Sequence, residues 1–190
     1  MKYLIMCEGT NEKTIIELLL EHNKLAFTQD DLINLEVYHA RQFVPYITSE
    51  VKHYSGDIKV LRIGDKQSDI LKIPQEISHD KNIYKCRTSY ELEILLIINE
   101  GLFKEFLKVK SKVGAKDFAK EYIKYNGKFY DGSCEFWQNY YHRRINNLVN
   151  NIKECKRLTK LKKNEICRSL KVKAFAFFLP SYLLKSKPKT

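Results

Sequence analysis

Residues 1–19 read MKYLIMCEGTNEKTIIELL, and this stretch decides the fold class. Lys2 is followed by Tyr3-Leu4-Ile5-Met6, an apolar run too short for a helix and without polar alternation. A strand buried on both faces has that character, and such strands belong to parallel sheets covered by helices. Glu8-Gly9-Thr10-Asn11 breaks the run, with Thr10 or Asn11 placed to cap a helix and Glu12 in its first turn. Ile15, Ile16, Leu18, Leu19 and Leu20 give that helix a wide apolar stripe, and His22-Asn23-Lys24 ends it. One carboxylate, Glu8, is left at the junction beside a glycine.

The alternation continues. Leu35 to His39 is a second strand candidate, Phe43 to His53 has helical spacing, and Ser55-Gly56-Asp57 is a turn signal. Ile58 to Ile63 reads as a third strand ending at Gly64-Asp65, and Ser68 to Ile77 as a short helix broken near Pro74. Asn82 to Cys86 is a fourth strand, followed by an apolar helix from Tyr90 to Asn99 with Gly101 near its end. Strands alternating with helices predict an α/β domain over residues 1–101, built on a mainly parallel four-stranded sheet flanked by helices. Residues 102–190 are expected to form a basic, mainly helical region packed on it. There Asn126-Gly127 and Asp131-Gly132 punctuate the pattern, and residues 133–163 read as one or two long helices. Val172 to Leu179 fits a strand or a buried helix, and Lys185 to Thr190 a frayed tail.

Charge divides the chain in the same way. The net charge is +11, but residues 1–100 sum to −4 and residues 101–190 to +15. A basic half beside an acidic half fits a segment that grips a polyanion next to a site that needs carboxylates. Nucleic acid, DNA or RNA, is therefore the expected partner. No apolar run approaches the ~18 residues of a membrane span, so no membrane partner is expected. The apolar run before Cys7 is shorter than that of a signal peptide, which points to the cytoplasm. The five cysteines are scattered without a Cys-x-x-Cys pair, so they read as reduced structural thiols rather than zinc ligands. Phosphate-binding Gly-x-x-x-x-Gly-Lys, Gly-x-Ser-x-Gly and Gly-x-Gly-x-x-Gly loops are all missing, which removes P-loop ATPases, serine hydrolases of that type and dinucleotide-binding domains.

In a parallel sheet the carboxyl ends of the strands share one edge, where ligands bind. Glu8 follows the first strand and Asp65 the third, each beside a glycine. Two converging carboxylates repel one another unless a cation lies between them, and magnesium or manganese accepts such hard oxygen ligands. Glu8 also reads as a carboxylate that simply stabilises a helix N-terminus.

The ordered set resembles the TOPRIM domain of primases, topoisomerases and small nucleases. That family carries a Glu-Gly pair after its first strand with an acid a few positions on, as Glu8-Gly9 and Glu12 do. Its second motif is Asp-x-Asp after the third strand. Asp65 matches the first acid, Gln67 stands in place of the second, and Asp69 is a substitute one helical turn further on. Cys7-Glu8-Gly9 resembles the RloB-like and OLD-nuclease branch, which also places an acid in an apolar helix after the fourth strand. Glu93 takes that position, with Glu91 as the alternative. The resemblance covers about residues 1–100 and implies a Mg2+- or Mn2+-dependent nuclease, in phage defence or a mobile element. Glu8, Asp65 and Glu93 would be its catalytic residues, and Glu8, Asp65 and Asp69 its metal ligands. Because Gln67 replaces an acid, the alternative is a degenerate nucleic-acid-binding module that regulates a partner ATPase or another defence protein.

Residues expected to touch nucleic acid fall in two groups. His39, Arg41, Lys66 and Arg87 lie at or just beyond strand ends, where a phosphate would sit. Trp137, Tyr141, Arg143, Arg144, Lys156 and Arg157 interleave aromatic and basic side chains within residues 137–163, a mixture that stacks bases and neutralises phosphates. Both groups also read as ordinary solvated or amphipathic surface.

Overall fold

The computed structural model describes residues 1–39, 49, 51–64, 82–87 and 91–165, with backbone alone for 82–87, 156 and 159–165. The chain divides into two compact units, at Arg87/Thr88. The helix that follows residue 93, counted in the sequence with the first portion, thus belongs to the second unit.

The first unit is built on strands β1 (Lys2–Cys7), β2 (Leu32–His39), β3 (Ile58–Gly64) and β4 (Asn82–Arg87), in the order β2-β1-β3-β4. Every pairing in this sheet is parallel. Tyr3 to Cys7 are all buried, as the uninterrupted apolar run requires. Leu4 and Met6 join Ile33, Tyr38, Val51, Ile58 and Val60 in one cluster, with Tyr54 packed against it. Tyr3, Ile5 and Cys7 alternate to the opposite face, where Tyr3 stacks on Phe27 at 4.3 Å between centroids. Helix α1 (Thr10–Glu21) buries Ile15, Ile16, Leu18, Leu19 and Leu20 and packs on β1 and β2. Its N-cap is Gly9, ahead of the expected Thr10 or Asn11, and no side chain caps it.

Strand β2 starts three residues before its expected position and is irregular. Tyr3 pairs with Leu32 but Ile5 with Val37, so β2 spends five residues where β1 spends two. Asn34 and Leu35 absorb the excess in the left-handed region, at φ 52° and 60°. Such a bulge distorts the exposed edge of the sheet and discourages pairing with another chain. Of the helix expected at 43–53, the described residues 49 and 51–53 are helical. The helix expected at 68–77, the element at 172–179 and the tail lie outside the described residues.

The second unit holds α2 (Ile94–Asn99), α3 (Phe103–Val109), α4 (Ala115–Tyr122), a hairpin of β5 (Lys124–Tyr125) and β6 (Lys128–Phe129), α5 (Cys134–Tyr141), a 3-10 turn at His142–Arg144 and α6 (Ile145–Glu165). Asn126-Gly127, expected to punctuate helices, is instead the two-residue turn of that hairpin. Both residues have positive φ, 48° and 81°, the geometry that favours Asn-Gly in tight hairpins.

An aromatic core fills this unit. Trp137, Tyr140 and Tyr141 are wholly buried, and Trp137 stacks on Tyr141 at 5.9 Å. Tyr130 meets Phe136 and Trp137 edge-on. Each tyrosine brings a hydroxyl that burial obliges to find a partner. Tyr141 donates to the Leu95 carbonyl at 2.9 Å, and Asn151 donates to the same carbonyl and to the Asn99 side-chain oxygen. Tyr140 donates to Glu100 and accepts from Asn99 at 2.6 Å. These bonds fasten α2 to α5 and α6. Burial and the neighbouring carboxylate or tyrosine hold the Tyr130, Tyr140 and Tyr141 phenols above their ordinary range. Among the described residues, no helix is long and apolar enough to cross a membrane.

Trp137→Ala should cost about 3–5 kcal/mol, the range for deleting a fully buried large aromatic. Equilibrium urea unfolding measures it; a loss below about 1 kcal/mol would place the indole at the surface instead.

Candidate functional site

The carboxyl edge of the sheet is defined by register. Cys7 pairs with His39 on one side and Ile63 on the other, while Gly64 pairs with Arg87. His39, Glu8, Gly64 and the backbone of Arg87 therefore reach one edge together, with Glu8 directly after Cys7. The Glu8 backbone N–H donates to the Ile63 carbonyl at 2.8 Å, so the β1 hydrogen-bond ladder extends one residue past the strand.

Two glycines make room for two carboxylates at this edge. A Cβ built on Gly64 would run into Glu8 Oε2 and stand 3.0 Å from Glu8 Cβ. The Glu8 side chain thus lies across the end of β3, in space that a Cβ at residue 64 would contest. A Cβ on Gly9 would likewise run into Glu12 Oε2, with Glu12 Cδ at 3.2 Å. Gly9 has φ −111°, open to any residue, so what a side chain here would disturb is the position of the Glu12 carboxylate. Glu8, Glu12 and His39 are all half-buried. Glu8 and Glu12 carry hard oxygen, the donor type a small divalent cation accepts, but Glu8, Glu12 and His39 do not by themselves bring three ligand atoms to one point.

Asp65, Lys66, Gln67 and Asp69 lie outside the described residues, as does Arg41, and Arg87 is described by its backbone alone. Asp65 follows Gly64 directly in the sequence.

Glu93 has a different setting from the one expected. It stands at the N-cap of α2, only 6% exposed, and accepts the Tyr130 hydroxyl at 2.6 Å. Its carboxylate is thus engaged inside the second unit. Glu91 accepts the Ala115 backbone N–H at the start of α4, beside Gly114, where a Cβ would stand 2.9 Å from Glu91 Oε1. It supplies from a distant segment the cap that Gly114 has no side chain to provide, and adds to the first-turn charge of Asp117. Burial chiefly holds its carboxyl above the usual range, against the lowering by that N–H.

The expected aromatic stackers are corrected by the structure. Trp137 and Tyr141 have no exposed surface, because the helical spacing that interleaves them with basic residues also turns them into the core. Arg144 lies over the Tyr125 and Tyr140 rings at 4.9 and 5.1 Å and pairs with Glu100 at 3.7 Å, so it serves the unit's own packing. Arg157 is exposed but held by Glu154 through two hydrogen bonds at 2.7 and 2.6 Å. Arg143 is exposed, and the Lys156 side chain lies outside the described residues. The sequence reading passed over two exposed rings, Tyr122 and Phe129, and the lysines around them. Asn-Gly between Lys124-Tyr125 and Lys128-Phe129 was the available signal, since it marks a hairpin that turns one face outward.

Compared with protein-family models, with curated proteins and with solved structures, the chain matches none.

Gly64→Ala should destabilise the protein by about 1 kcal/mol, the low end of the range for overpacking, because the Glu8 carboxylate can swing aside while its Cβ must give slightly. The cost should shrink in a Glu8→Ala background. Urea unfolding of the single and double variants measures the coupling; strictly additive effects would show that Glu8 does not occupy the space over Gly64.

Proposed function

We propose that the chain is a divalent-metal-dependent phosphodiesterase acting on nucleic acid, with its site at the carboxyl edge of the parallel sheet. The observation that carries this reading is the Glu8 carboxylate lying across Gly64, at the end of the adjacent central strand. Loops at this edge of a parallel sheet form the usual ligand crevice. Glu8 and Asp65 would hold the metal, with Glu12 as a further carboxylate beside them. When bound, Mg2+ or Mn2+ would polarise a phosphate oxygen and offset the charge of the departing oxyanion. Glu8 orients the site because its own backbone is fixed by the Ile63 hydrogen bond. His39, level with Cys7 on the neighbouring strand, would hydrogen-bond a phosphate oxygen. Glu93 is left out of the reacting set, since it serves Tyr130.

Support for a polyanionic substrate comes from charge. The carboxylates sit in the acidic first hundred residues, while +15 accumulates after residue 100. One specific observation favours a second reading: Gln67 stands where the resemblance expects an acid. A binding module without turnover would then regulate a partner such as an ATPase, and isothermal titration with Mn2+ in the millimolar range separates the two.

End-labelled DNA and RNA incubated with Mg2+ or Mn2+ should be cleaved, and EDTA should stop the reaction. Glu8→Gln and Asp65→Asn should each lower the rate by about 100-fold or more, the scale of losing one oriented charge-stabilising group. Cleavage indifferent to both substitutions would refute the assignment.

A further inference from the structure

Lysine recurs at every fourth position from Lys104 to Lys128, and all seven of these side chains are exposed. Lys104 and Lys108 share one face of α3, and Lys116 and Lys120 one face of α4, because residues four apart on a helix are neighbours. Lys124 and Lys128 continue the series into the hairpin. Residues 103–129 hold eight lysines against three carboxylates, Glu105, Asp117 and Glu121. The Lys116 side chain runs beside the hairpin's return, where a Cβ on Gly132 would stand 3.5 Å from Lys116 Cε.

The same stretch carries two open rings. Tyr122 is 54% exposed and Phe129 55%, and they are the exposed aromatic residues among those described. The hairpin register explains Phe129. Tyr125 turns to the unit's interior, packing on Tyr140 at 5.3 Å, while Phe129 stands opposite Lys124 on the other face. Lys124 Nζ lies 5.2 Å from the Phe129 centroid. Tyr122 is backed by Phe118 at 4.5 Å, which rests in turn on Phe106 at 5.3 Å. Glu121 takes the Tyr122 hydroxyl as a hydrogen-bond donor and raises its pKa. The ring is thereby held while part of it stays open to solvent.

We propose that this lysine row and the Tyr122 and Phe129 rings bind single-stranded nucleic acid, lysines tracking phosphates and rings stacking on unpaired bases. Supported, half-exposed rings among cations are the makings of a single-strand platform, since duplex DNA keeps its base faces covered. A purely electrostatic surface has no use for exposed aromatic rings, and eight lysines against three carboxylates leave the stretch with an excess of five positive charges. The residues differ from the 137–163 set, and the binding is independent of whether Glu8 and Asp65 support cleavage.

The test uses the full chain in EDTA, so that catalysis does not enter. Fluorescence anisotropy compares labelled oligothymidylate and oligouridylate of about 20 nucleotides with a duplex of equal length. Unlabelled anionic phosphatidylserine vesicles serve as competitor. Single strands should bind more tightly than duplex, and vesicles should not displace them. Tyr122→Leu and Phe129→Leu should each weaken single-strand binding by about fivefold or more, while duplex binding changes little. Lys124→Gln combined with Lys128→Gln should lower the slope of log affinity against log salt by about 1.4, two phosphates' worth for a single strand. Circular dichroism melts check that each variant is folded; should a ring variant melt early, the salt slope of the lysine pair decides. Unchanged affinity in folded ring variants, an unchanged slope in the lysine pair, tighter duplex binding, or displacement by vesicles would overturn the proposal.

Discussion

A missing side chain organises the candidate site. Gly64 ends β3 without a Cβ, and the Glu8 carboxylate takes that space. The arrangement needs β1 and β3 to be parallel neighbours in the observed register, because an antiparallel partner would bring the opposite end of its strand to this edge. It also needs a buried strand stiff enough to aim the side chain. Tyr3 to Cys7 supply that through complete burial and pairing on both sides. Sheet order, strand burial and carboxylate position are in this sense one constraint.

The second unit solves another problem. Its core is aromatic, and buried tyrosines bring hydroxyls that must be satisfied. Glu93, Glu100, Asn99, Asn151 and the Leu95 carbonyl answer them. Of the carboxylates described in this unit, Glu93 alone is buried by this arrangement, while Glu100 meets Tyr140 from an exposed position. The positive surface of the unit follows from its composition, lysine-rich from Lys104 onward. Arg144 joins the arrangement, pairing with Glu100 while covering the Tyr125 and Tyr140 rings.

Much of the first unit was legible because its signals are local. An unbroken apolar run gave the first strand, and glycine beside an acid gave both strand ends. The bulge of β2 was not legible, since Asn34 and Leu35 adopt positive φ only when β1 imposes the register. Spacing also failed to separate Trp137 and Tyr141 as core from Trp137 and Tyr141 as ligand surface. One helical period places aromatics on a common face in either case, and only tertiary packing says which face is inward. Glu93 was legible as an acid near an apolar helix, but Tyr130, its partner, lies 37 residues away, and nothing in the local sequence announces the pairing. For the site itself, the sequence supplied Glu8 and the neighbouring Gly64-Asp65; the structure added that Gly64 makes room for Glu8 and Gly9 for Glu12.

The central claim is that the edge formed by Glu8 and Gly64 holds a divalent cation. An anomalous difference map from a crystal of the protein soaked in Mn2+ tests it most directly. The account predicts a peak in direct coordination contact with the Glu8 carboxylate and with Asp65. A fully soaked crystal whose manganese peaks all lie elsewhere, with the Glu8 carboxylate bonded only to protein groups, would contradict it.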